Sequence, residues 1–119
     1  LQALNEKELT INGDGTQTRS FQYIDDLIVA MIKMMDTADD FLGPINIGNP
    51  GEFTIRKLAE LIRDRINPKL EFSNKPLPAD DPLQRKPVIE LAKKELGWLP
   101  KIKLEEGIDS TIEWFRNNM

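Results

Sequence analysis

The chain has 119 residues, 39% hydrophobic and 30% charged, with a formal net charge of −4. That is the size of one domain with a modest core, and the mixed signs leave no basic stripe for nucleic acid. Cysteine and histidine are both absent, which excludes disulfides, thiolate zinc sites and the commonest general base and metal ligand.

Any chemistry must therefore rest on Arg, Lys, Asp, Glu or Tyr. No apolar run approaches the ~20 residues of a membrane span, and no secretory signal opens the chain. The composition suits a reducing cytoplasm.

In chain order, Leu1–Glu8 predicts the last turns of a helix that begins upstream. Leu9-Thr10-Ile11 is a short β-prone run closed by the turn Gly13-Asp14-Gly15. Ser20–Ile24 alternates as a second strand would. Asp25 or Asp26 then suits the N-cap of a helix over Leu27–Asp36. That helix is apolar on most sides, so it needs cover on most faces. A chain this short offers little cover, so part of the partner surface is expected to lie elsewhere.

Ile45-Asn46-Ile47 predicts a buried strand ending at Gly48. Asn49-Pro50-Gly51 fits a turn with positive φ at the glycine. Thr54 is the expected cap of a helix whose Ile55, Leu58, Ala59, Ile62 and Ile66 share one face, and Asn67-Pro68 stops it. Leu70-Glu71-Phe72 is strand-like. Lys75–Pro87 is a long loop carrying four prolines, and ordered loops of this kind are commonly functional. Glu90–Leu96 predicts a short helix ended by Gly97. A last helix from about Leu104 would bury Leu104, Ile108, Thr111 or Ile112, and Phe115. Trp98 and Trp114 suit packing roles. The acidic pairs Asp25-Asp26, Asp39-Asp40 and Glu105-Glu106 suit caps and solvated helix starts. Strands alternating with helices indicate an α/β protein, and residues 1–119 read as a truncated region of a larger one.

Three segments carry candidate chemistry. In Gly13–Phe21, a tight glycine turn is followed by Gln17, which can both donate to and accept from a base edge, and Arg19, which can bind phosphate bidentately. In Asp80–Pro87, Arg85 sits on a proline-stiffened loop, and two separated arginines suit a diphosphate clamp. Ile45–Pro50 places a turn where open α/β sheets bind ligands. Taken alone, the first segment reads more readily as a surface hairpin with an exposed arginine, and the second as an ordinary solvated loop of mixed charge. The third lacks the glycines of a dinucleotide fingerprint. No residue set suggests a metal.

Together the strings GDGTQTRSFQYIDDL (13–27), GPINIGNPGEFTI (43–55) and PLPADDPLQRKPVIELAKKELGWLPKIKLEEGI (76–108) resemble the C-terminal part of the extended short-chain dehydrogenase/reductases. Within that superfamily they are most similar to the UDP-glucuronic acid decarboxylases, through nearly all 119 residues. The resemblance implies a two-part enzyme. An N-terminal Rossmann domain would hold NAD and carry Tyr-x-x-x-Lys, and the C-terminal part would bind the UDP-sugar. Such enzymes oxidise the sugar at C4 by hydride transfer to NAD, lose the C6 carboxylate as carbon dioxide, and return the hydride.

Matched position by position, the resemblance implies that Gln17 lies where the loop approaches the uridine. Arg19 would pair with the diphosphate, Phe21 would form an apolar wall under the nucleotide, and Arg85 would lie near diphosphate and sugar, supporting decarboxylation. Asn46 and Gly48 would belong to the strand returning to the Rossmann sheet. The sequence departs from the family pattern at Asn12, Val88 and Glu90, where tyrosine, aspartate and Ser or Thr are frequent. It has no dinucleotide fingerprint, and Tyr23 is followed four residues on by Leu27 rather than lysine. The expectation is a region inactive by itself, binding no NAD alone, whose intact enzyme is a homodimer. A dTDP-glucose 4,6-dehydratase, a sugar-nucleotide epimerase, and a ligand-free interaction module are the alternatives.

Overall fold

A computed structural model describes residues 1–119 and places them in four short strands and four longer helices. They divide into two compact units, each assembled from segments distant in sequence. The first comprises Leu1–Arg19, Phe53–Arg85 and Ile108–Met119, and the second Ser20–Glu52 and Lys86–Gly107.

In the first unit, strand β1 (Leu9–Asn12) pairs in parallel with β4 (Phe72–Lys75), Leu9 opposite Phe72 and Ile11 opposite Asn74. Leu9 and Ile11 are buried while Asn12 is exposed, the period-two alternation of a half-buried strand. Helix α2 (Ile55–Ile66) lies against β1. Thr54 caps it as expected, its Oγ1 accepting the Lys57 N–H at 3.0 Å. Arg56 and Arg63 project from α2 over the ring of Phe72, 5.6 Å and 4.8 Å from its centroid, where the negative π-face attracts both guanidinium groups. Arg65 pairs with Asp109 of helix α4 (Leu104–Asn118).

Strand β2 (Thr18–Ser20) pairs with β3 (Glu52–Thr54). Within the first unit the bonding continues past the strand ends, from Ile55 N–H to Gln17 O and from Arg56 N–H to Gly15 O, both at 3.0 Å. Gly15 is required twice over. Its φ is +81°, and an added Cβ would come within 2.9 Å of Arg56 Cβ.

In the second unit, helix α1 (Ile24–Met35) and helix α3 (Glu90–Leu96) meet around Ala30, Ile89, Ala92, Leu96 and Trp98, with Met34, Ile45 and Ile47 packed against them. Gly97 ends α3 in the left-handed conformation at φ +59°, as the sequence predicts, with no neighbour within 4 Å of an added Cβ. Backbone conformation alone selects glycine there. Asp26 is 5% exposed. Its carboxylate accepts the N–H groups of Lys101 and Ile102 at 3.0–3.1 Å, while its main-chain carbonyl accepts the Trp98 indole N–H at 3.0 Å.

Several expectations are corrected. Leu1–Glu8 holds one 3-10 turn, Ala3–Asn5, ended by Glu6 at φ +57°. The Gln2 carboxamide ties the turn to β1 by bonding both the backbone N–H and the hydroxyl of Thr10. β2 starts and ends earlier than Ser20–Ile24, and α1 begins at Ile24, preceded by Tyr23, so Asp25 and Asp26 lie inside its first turn rather than at its cap. Asp26 is not solvated, because distant backbone amides claim its carboxylate. Asp39 and Asp40 lie in a turn.

Ile45–Ile47 forms no strand, though Ile45 and Ile47 face the core and Asn46 is exposed. The alternation is strand-like, but no second segment supplies a ladder. At Asn49–Gly51 the turn closes through the Asn49 side chain, whose Oδ1 accepts Gly51 N–H at 2.9 Å, and Gly51 does not take positive φ. This is an Asx-type closure, which needs no left-handed residue. β4 begins only at Phe72. In α4 Ile112 is buried and Thr111 exposed, and Trp114 is 58% exposed with its neighbour Phe115 edge-on to it.

Candidate functional site

The glycine loop is held from several sides. Asp14 accepts both the N–H and the hydroxyl of Thr16, at 3.0 Å and 2.7 Å. Those bonds favour the carboxylate and hold Asp14 below the ordinary aspartate range. Gln17 is 4% exposed, and its Nε2 donates to Asn12 O at 2.7 Å. Asn74 of β4 donates to Gly13 O at 2.7 Å. The loop therefore reaches Arg19 with little freedom left, and Gln17 offers little surface of its own.

Arg19 is one-fifth exposed. Nη1 donates to Thr18 O at 2.6 Å and Nη2 to Asp81 Oδ1 at 2.5 Å. Beside this ion pair, Thr18 N–H donates to Leu83 O at 2.9 Å. Of the two segments singled out from the sequence, the parts that lie in the first unit, Gly13–Arg19 and Asp80–Arg85, are thus joined by a backbone bond and a salt bridge. Arg85, two residues beyond Leu83, is exposed and carries no side-chain hydrogen bond or ion pair. Phe21 lies in the second unit and is half-buried.

Asp81 is the residue that sequence reasoning passed over. Nothing local marks it, because its partner lies 62 positions away. No group of three or more carboxylates is placed to hold a metal ion, and no helix is long and apolar enough to cross a membrane.

Residues 1–111 match the family model described as GDP-mannose 4,6 dehydratase. The chain belongs to this family. Among its relatives, UDP-glucuronic acid decarboxylase 3 of Arabidopsis thaliana is 50% identical over 115 residues, covering 97% of this chain and 33% of that protein. A solved UDP-glucose 4-epimerase from Thermotoga maritima, with UDP-glucose, superposes with a TM-score of 0.90 at 32% identity, over 98% of this chain and 37% of that one. A UDP-glucuronic acid 4-epimerase from Bacillus cereus, solved with UDP-glucuronic acid and NAD, gives 0.86 at 30% identity, over 99% of this chain and 38% of that one. The chain spans about a third of the length of these relatives. The α/β reading and the resemblance to the extended dehydrogenase/reductases and their UDP-glucuronic acid decarboxylases are both borne out.

The joined loops carry two guanidinium groups, Arg19 and Arg85. A guanidinium has five N–H donors, and the bonds of Arg19 to Thr18 O and Asp81 Oδ1 use two of its nitrogens. Arg85 adds a second guanidinium, exposed and without an ion pair, on the joined loop.

Proposed function

We propose that this chain is the nucleotide-sugar-binding region of an NAD-dependent decarboxylase that converts UDP-glucuronate to UDP-xylose. The observation that carries the reading is the bond from Thr18 N–H to Leu83 O, which ties the Arg19 loop to the Arg85 loop. The 50% identity to a UDP-glucuronic acid decarboxylase supports the choice of reaction.

In this reading Arg19 and Arg85 meet the diphosphate, and Arg85 extends toward the sugar to support loss of the carboxylate. Gln17 shapes the loop beside the uridine, its own amide held by Asn12 O. Phe21 keeps the role the resemblance implies for it, an apolar wall under the nucleotide. NAD does not fit the residues of this chain, which has neither a glycine fingerprint nor Tyr-x-x-x-Lys. A Rossmann domain elsewhere in the enzyme would hold it, in a cytoplasmic homodimer.

Magnitudes set what the chain does alone. Charged hydrogen bonds contribute about 1.5–3 kcal/mol each, so two arginines offer roughly 3–6 kcal/mol before costs. Ordering the ligand and loop consumes much of that, leaving at best about the −4 kcal/mol of a millimolar complex. Amide shifts near Arg19 and Arg85 on adding UDP, with none on adding NAD, are the expected NMR result. Micromolar NAD binding would place the site elsewhere. Joined to its Rossmann part and given UDP-glucuronate, the protein should release carbon dioxide and UDP-xylose. A C4 epimer as sole product would make it an epimerase instead.

A further inference from the structure

The Asp80–Arg85 segment is divided by charge. Asp80 and Asp81 are acidic, Arg85 is basic, and between them Leu83 O is fastened to Thr18 N–H at 2.9 Å. Asp81 spends its carboxylate on Arg19, at 2.5 Å, with side-chain exposures of 30% and 19%. The more buried partner is the arginine, and the carboxylate is the one that water can recover.

We propose that Asp81 is an internal counter-ion for Arg19, and that a nucleoside diphosphate displaces it and turns the segment about Leu83. The inference rests on the nucleotide-sugar reading above. A diphosphate carries more negative charge than a carboxylate and offers more acceptor oxygens, so it outcompetes Asp81 for the guanidinium. The same anion repels Asp80 and Asp81 and attracts Arg85. Because the Thr18–Leu83 bond joins backbone to backbone, it survives the exchange and serves as the pivot. The acidic half of the segment then leaves the anion as Arg85 approaches it, and no bond within β2 has to break.

The test uses the 119-residue chain, with Asp81→Asn and Asp81→Glu. Without ligand, Asp81→Asn should speed amide exchange at residues 79–81, where Asp81 N–H is bonded to Pro78 O, while the Thr18 amide stays protected. Asp81→Glu should behave as wild type. Titrated with UDP and followed by NMR, Asp81→Asn should bind roughly threefold to tenfold tighter, up to about 1.4 kcal/mol. Weaker UDP binding by Asp81→Asn would overturn the proposal, making Asp81 a residue that positions Arg19. Unchanged exchange, with UDP still shifting Arg19 and Arg85, would overturn the latch and leave the nucleotide-sugar reading intact. Absence of any UDP shift in wild type would overturn the displacement together with that reading.

Discussion

Trp98 and Asp26 are joined across 72 positions of sequence: the indole N–H donates to the Asp26 carbonyl at 3.0 Å. The Asp26 carboxylate in turn accepts the Lys101 and Ile102 N–H groups. One residue therefore anchors the start of α1, the ring that fills the core, and the segment leading into α4.

Asp26→Ala should be among the most damaging single changes in the second unit. It strips the acceptor from two backbone N–H groups in a part-buried setting, at up to about 1–3 kcal/mol for each group left unsatisfied. Trp98→Phe loses one hydrogen bond and some ring volume, so the expected loss is smaller. Urea unfolding of both variants checks the order, and equal stability of Asp26→Ala and wild type would remove Asp26 from this role.

The Asp14–Thr16 turn should show a pH signature. Its carboxylate is held below the ordinary range first by the Thr16 hydroxyl and then by the Thr16 N–H. A depressed folded-state value means the contribution to stability is present above the unfolded-state value and is lost as pH falls through the lower, folded one. Thr16→Ala should raise the Asp14 titration midpoint toward ordinary aspartate, read from its side-chain carboxyl carbon by NMR. An unmoved midpoint would assign the effect to the backbone bond.

Arg85→Ala should leave the fold intact, because the side chain is exposed and makes no hydrogen bond or ion pair. Surface changes of this kind stay within about 0.5 kcal/mol. In the proposed two-part decarboxylase, single-turnover decarboxylation should fall by at least tenfold, about 1.4 kcal/mol of barrier. Full turnover in the variant would take Arg85 out of the site.

The uncovered face of α1 should make the isolated chain self-associate. Ile24, Ile28, Met31 and Met35 recur at helical spacing and are 54%, 45%, 53% and 83% exposed, with Ile32 beside them at 54%. Met34 is not part of this face, being packed against the core. Contiguous apolar surface of this kind marks an interface. Sedimentation velocity should show a concentration-dependent shift that Met31→Gln with Met35→Gln reduces. A clean monomer at every concentration would contradict it.

What the amino-acid sequence determined by itself is local. The Thr54 cap and its helix, α3 with its glycine stop, and the alternation of Leu9 and Ile11 each depend on bonds or faces within a few residues, so their patterns are readable in order. The family, too, was legible, because its motifs are strings. Tertiary structure decided the rest. Ile45–Ile47 has the alternation of a strand but no partner to complete it. Asp26 resembles a cap until backbone amides 75 and 76 positions away claim its carboxylate. Arg19 and Asp81 stand in two polar loops of unremarkable composition, and only the folded chain brings their charges to 2.5 Å. A hydrogen bond or ion pair between distant residues has no period and no flanking signal, so it enters only when packing sets both partners in place.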